Sequence, residues 1–155
     1  MRLSEMLNPK AVSLRLQSQT KRDAIVELVG LLERAHGLDS QGEILDRVIR
    51  REAMKTTGIG SGVAIPHGRA RAVSQMVAAC AVSQEGVPFE AEDGQPAHLF
   101  VVFVSPESAT TQHVRALANL VRLVKEESVR RALREAPSVE AFMATLQGAE
   151  AVYIP

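Results

Sequence analysis

The sequence has a single cysteine, no tryptophan, and aromatic residues at only 3% of its positions. One cysteine excludes an intrachain disulfide and any metal cluster built from cysteines. Its setting, Cys80 in "MVAACAVS", is that of a small buried hydrophobe. So few rings leave no stacking platform for single-stranded nucleic acid. An excess of one charge is also missing. Eighteen basic and eighteen acidic residues cancel, whereas nucleic-acid binders usually carry a basic surplus. No apolar run approaches the ~20 residues of a membrane span. The opening "MRLSEMLNPK" lacks the apolar core of a signal peptide. A cytoplasmic protein with no membrane insertion and no nucleic-acid partner is expected.

What is present suits one globular unit. The chain has 155 residues, 46% hydrophobic and 23% charged, enough to bury roughly two-thirds of its unfolded surface. It shows no repeat, low-complexity tract or linker, so a single domain over 1–155 is expected. "AVSLRLQ" alternates Val12, Leu14 and Leu16 as a strand would. "SQTKRDAIVELVGLLERAHGLD" reads as a helix capped by Thr20 and stopped by Gly37, with Ile25, Leu28, Val29, Leu32 and Ala35 on one face. A second helix is expected over 40–54. "QMVAACAVS" and "AHLFVVFVS" are continuous apolar segments of strand length, as expected of strands covered on both faces. Between them, Asp93-Gly94 suits a tight hairpin. "ATTQHVRALANLVRLVKEE" offers a helix with Val114, Leu117, Val121 and Val124 as its apolar stripe, and two shorter helical segments follow, separated by Pro137. Helices at both ends with strands between them indicate a layered α/β fold.

Chemistry concentrates in "TTGIGSGVAIPHGRARA". Pro66 fixes the backbone on one side of His67, and Gly68 permits a sharp turn on the other. The upstream glycines suggest free amides that suit an anion. Neither the Walker ending nor the dinucleotide-binding spacing is present. His113 follows "SPESATT", where Ser108, Thr110 or Thr111 would cap a helix and put the imidazole near its positive end, lowering its pKa and favouring an anion. Together, one nucleophilic imidazole and one hydrogen-bond donor would make a site. Arg51, before the glycine segment, offers a planar fork of donors for phosphate, or else a solvated helix face. His36 and His98 read as surface residues. The histidines lack the spacing that specifies zinc, so no metal is expected. Arg130, Arg131 and Arg134 form a helix surface or a docking patch.

"REAMKTTGIGSGVAIPHGRA" resembles the signature of enzyme IIA of the fructose–mannitol class of the bacterial phosphotransferase system, nearest to its nitrogen-regulatory branch. The resemblance extends over about 3–147, leaving "GAEAVYIP" as a short tail. "GQPAHLFVVFVSPESATTQHVRALANL" is similar to the family's second signature. The resemblance implies a mannitol-type IIA fold, a mixed sheet of about five strands sandwiched between helices. It also implies a phosphocarrier: His67 matches the phosphorylated histidine, loaded by a phosphohistidine of an HPr-type carrier protein. His113 matches the second active-site histidine, and Arg51 the active-site arginine. The output would be regulatory targets or, in a transport role, a IIB domain. No cofactor is implied.

Overall fold

The computed structural model describes residues 2–155. Thirteen short to medium elements follow one another, six of them strands that form one mixed sheet. Strand β1 (Val12–Ser13) pairs in parallel with β5 (Val77–Val87), and β5 lies antiparallel to β6 (Ala97–Pro106). The other edge of β6 is shared. Strand β3 (Val63–Ala64) pairs beside Leu99 and Phe100, and β4 (His67–Ala70) continues along it beside Phe103 to Pro106. Pro66, without an N–H, marks the break between β3 and β4, while its carbonyl accepts from Phe103 N at 3.2 Å. Strand β2 (Gly58–Gly60) closes the sheet antiparallel to β3. Nearly every residue of β6 is buried, which requires helices on both faces, as in the expected sandwich.

Local chemistry explains the helices. Helix α1 spans Leu3–Met6, and α2 spans Lys21–His36. In α2 the Thr20 hydroxyl accepts from Asp23 N, and Gly37 takes the left-handed conformation (φ 63°) that closes the last turn. Helix α3 (Glu43–Met54) lies against β4 so closely that a side chain at Gly68 would sit 3.3 Å from Val48 N. Helices α4 (Thr110–Val124), α5 (Glu127–Arg134) and α6 (Val139–Tyr153) complete the chain. Cys80 is fully buried, and burial pushes its thiol pKa up, with a smaller contribution from the Glu150 carboxylate. Among the described residues, no helix is long and apolar enough to cross a membrane.

The structure corrects several expectations. The apolar stripe of α4 is Ala116, Leu120, Leu123 and Val124; Val114 and Val121 face outward. No side chain caps α4: Ala109 occupies that position. Asp93-Gly94 does not make a two-residue hairpin but turns within a loop over 88–96, where Asp93 accepts from the amides of Ser61 and Gln95. His36 and His98 are half-buried, each bonded to a carbonyl of β5, Ala78 and Ser83 respectively. The segment "GAEAVYIP" is no loose tail. It extends α6 to Tyr153, buries Glu150 and Ile154, and sets the Glu150 carboxylate against the amide and hydroxyl of Ser4. Ser4→Ala should therefore destabilise the fold by about 1–3 kcal/mol, the cost of depriving a buried carboxylate of a donor. Urea denaturation followed by circular dichroism measures it.

Candidate functional site

His67 opens β4 directly opposite Phe103 of β6, so both side chains rise on the same face of the sheet. The imidazole stacks on the Phe103 ring with centroids 5.1 Å apart and planes within 16°. Its Nδ1 lies 2.8 Å from the Ile65 carbonyl oxygen. A carbonyl only accepts, so Nδ1 carries the proton, and the neutral ring presents Nε2 as an unprotonated lone pair.

His113 arrives from the other direction. It sits in the first turn of α4, its amide donating to the Ala109 carbonyl. Its ring centroid lies 5.3 Å from that of His67 and 5.0 Å from Phe103. Nδ1 of His113 is 2.7 Å from the hydroxyl of fully buried Ser105, at the end of β6. When that hydroxyl donates, Nε2 of His113 keeps the ring proton and becomes a donor.

Arg51 joins them from the last turn of α3. Its side chain lines the same cleft, of about 410 Å³, and donates to the Lys55 carbonyl at 2.9 Å. Arg69, on β4, reaches across to the Thr110 hydroxyl at 2.9 Å. The three residues expected from sequence are thus brought together. The glycines are not. Gly60 abuts the Asp93 side chain, and Gly62 lies near Pro96, His98 and Arg134, at the opposite end of β6 from His67. Four residues of strand, roughly 13 Å, separate the Val63 and His67 levels. Only Gly68 lines the cleft. Two contributors were missed in the sequence: Ser105, which holds His113, and Glu52. The Glu52 carboxylate is buried, accepts from the amide and hydroxyl of Thr57, and pairs with Lys21 at 2.9 Å. A Glu beside Arg51 with a Thr five residues on was the available signal.

Burial lowers the His67 pKa, opposed by the Ile65 bond and reinforced by the positive charge of Arg51. Burial also lowers His113, to about 4, helped by His67, Arg69 and Arg51. Both rings are therefore neutral near pH 7. The linkage has a definite sign. Unfolding restores ordinary values of about 6.5, so the unfolded chain binds more protons below that pH, and stability falls as pH drops from about 6.5 towards 4. Urea unfolding at pH 7 and pH 5 should show this loss, and a His67→Gln/His113→Gln double variant should show a smaller one. Equal slopes in both proteins would contradict the depressed values.

An imidazole lone pair, a neighbouring imidazole donor and a guanidinium around an open cleft can accept and stabilise a small dianion. Comparisons with known proteins agree with that chemistry. The model of the family described as "Phosphoenolpyruvate-dependent sugar phosphotransferase system, EIIA 2" matches residues 5–149. The chain is 35% identical over 143 residues to the PTS system fructose-specific EIIABC component of Bacillus subtilis. That match covers 92% of this chain but only 22% of that longer protein. It is 30% identical over 148 residues to a nitrogen regulatory protein of Bradyrhizobium diazoefficiens, covering 94% and 95% of the two chains. The crystal structure of nitrogen regulatory protein IIA-Ntr from Neisseria meningitidis superposes with a TM-score of 0.84 at 33% identity, over 92% of this chain and 97% of that one. The chain belongs to the EIIA type-2 family of the phosphoenolpyruvate-dependent sugar phosphotransferase system, a family of phosphotransfer components.

Proposed function

We propose that the protein is a phosphocarrier that accepts a phosphoryl group on Nε2 of His67 from a phosphohistidine of an HPr-type carrier. The observation that carries this reading is the Nδ1 bond to the Ile65 carbonyl, which leaves Nε2 bare beside His113 and Arg51. The Nε2 lone pair attacks phosphorus, the phosphorus–nitrogen bond to the donor breaks, and that electron pair returns to the donor's ring. His113 and Arg51 hold the phosphoryl oxygens as charge redistributes in the transition state. Transfer of this kind needs chiefly positioning and electrostatic stabilisation.

A regulatory, nitrogen-type role is favoured by the near full-length match to a nitrogen regulatory protein. The alternative is a sugar-transport IIA component that passes phosphate to a separate IIB protein, favoured by the fructose-specific relative. Incubation with enzyme I, an HPr-type carrier and phosphoenolpyruvate should produce a label that is acid-labile, base-stable and located on His67. A label on another residue would overturn the reading. Chasing the labelled protein with a fructose-type IIB protein separates the two roles: efficient discharge supports transport, and retention supports regulation.

A further inference from the structure

The cleft at His67 carries more positive charge than its neutral histidines explain. Among the described residues, Arg51 and Arg69 bond to neutral oxygens, the Lys55 carbonyl and the Thr110 hydroxyl, and to no carboxylate. Further out, Arg47 and Arg71 share one carboxylate, Glu107, at 2.8 Å and 3.3 Å, and Arg50 pairs with Asp46 at 3.0 Å. Glu43 adds one more carboxylate, turned to the amides of Arg71 and Ala72. Five guanidiniums against three carboxylates leave about two positive charges on this face, in a chain whose formal net charge is zero. Apolar side chains stand at its centre. Met54, at the end of α3, is 82% exposed, and Val114, on the first turn of α4, is 61% exposed; both line the cleft. An apolar centre within a charged rim is the anatomy of a protein-docking surface.

Resting on the phosphocarrier reading above, we propose that this face docks a phosphoryl donor whose own face is acidic around an apolar centre, and that loading His67 discharges the attraction. A phosphoryl group brings nearly two negative charges. Before transfer those charges sit on the donor and deepen its attraction to the arginines. After transfer they sit in the cleft and cancel the arginines' excess. The encounter complex is therefore stronger than the complex left after transfer, and charge movement itself promotes release. Such attraction acts over about a Debye length, so it is sensitive to salt and governs mainly the association rate.

Two phosphorylated HPr-type carriers test this, one with a net acidic and one with a net basic surface around its histidine. The acidic one should load His67 roughly tenfold faster at about 20 mM salt, and that advantage should shrink several-fold by about 200 mM. Arg50→Glu and Arg47→Glu should slow loading by the acidic carrier and speed it with the basic one. Labelling of His67 by phosphoramidate, a small donor that needs no docking, should not change in these variants. Equal rates for both carriers, or rates that do not change with salt, would overturn the docking proposal while phosphoramidate labelling leaves the phosphocarrier reading standing. Failure of phosphoramidate to modify His67 would overturn both.

Discussion

Replacing His67 with alanine is expected to remove phosphoryl acceptance altogether, a fall of roughly 10³-fold or more in transfer rate. The reason is specific to this ring. Of the two rings in the cleft, it is His67 whose Nδ1 is committed to a carbonyl, so its Nε2 is free to attack, whereas His113 has Nδ1 on a hydroxyl that either donates or accepts. On the proposed mechanism, His113 cannot take over as acceptor without giving up the donor role proposed for it towards the phosphoryl oxygens. His113→Ala should leave His67 modifiable but slow its loading about 10²-fold, the usual cost of one preorganised donor. Arg51→Lys should fall between wild type and Arg51→Ala, since an ammonium keeps the charge and loses the planar fork. Stopped-flow transfer from a labelled carrier measures all four. Loading of the alanine variant at the wild-type rate would remove His67 from the site.

These residues were legible in the sequence because their chemistry is local. Pro66, His67 and Gly68 are consecutive and needed no tertiary fold to be singled out, and the sequence put His113 near a helix start correctly although the Ser or Thr cap expected there is not made. The α2 boundaries were legible for the same reason, since Thr20 and Gly37 act within one turn of their helix ends. Helix α4 was less so. Its apolar residues satisfy a helical period in two registers, one through Val114 and Val121 and one through Ala116, Leu120 and Leu123, with Val124, buried as expected, at the end of both. Only packing against the rest of the core selects between them. The glycines misled because nearness in sequence is not nearness along a strand: an extended segment carries Gly60 and Gly62 away from His67 faster than a turn would. Ser105 was invisible as a site residue, and Glu52 had only the local Thr57 signal, because their partners His113 and Lys21 are settled by tertiary packing.

Glu52 carries the second large expectation. Its buried carboxylate joins three elements: Lys21 at the start of α2, its own last turn of α3, and Thr57 just before β2. Lys21 in turn lies 5.0 Å over the Phe89 ring. Glu52→Ala would leave two Thr57 donors without an acceptor and the mostly buried Lys21 ammonium with only the exposed Glu90 carboxylate at 3.4 Å, and should destabilise the protein by about 3–5 kcal/mol. Replacing both Lys21 and Glu52 with methionine should cost much less, because then no charge is stranded. The junction also bears on the position of Arg51 in the cleft. Thr57 and Lys55 belong to one extended segment, and the Lys55 carbonyl holds the Arg51 guanidinium. At temperatures where Glu52→Ala remains folded, loading of His67 should slow as it does in Arg51→Ala. The double methionine variant should recover stability more fully than transfer rate. Urea unfolding and carrier-dependent labelling on the same preparations separate the two effects. A Glu52→Ala protein with normal stability would show that Lys21 and Thr57 find other partners.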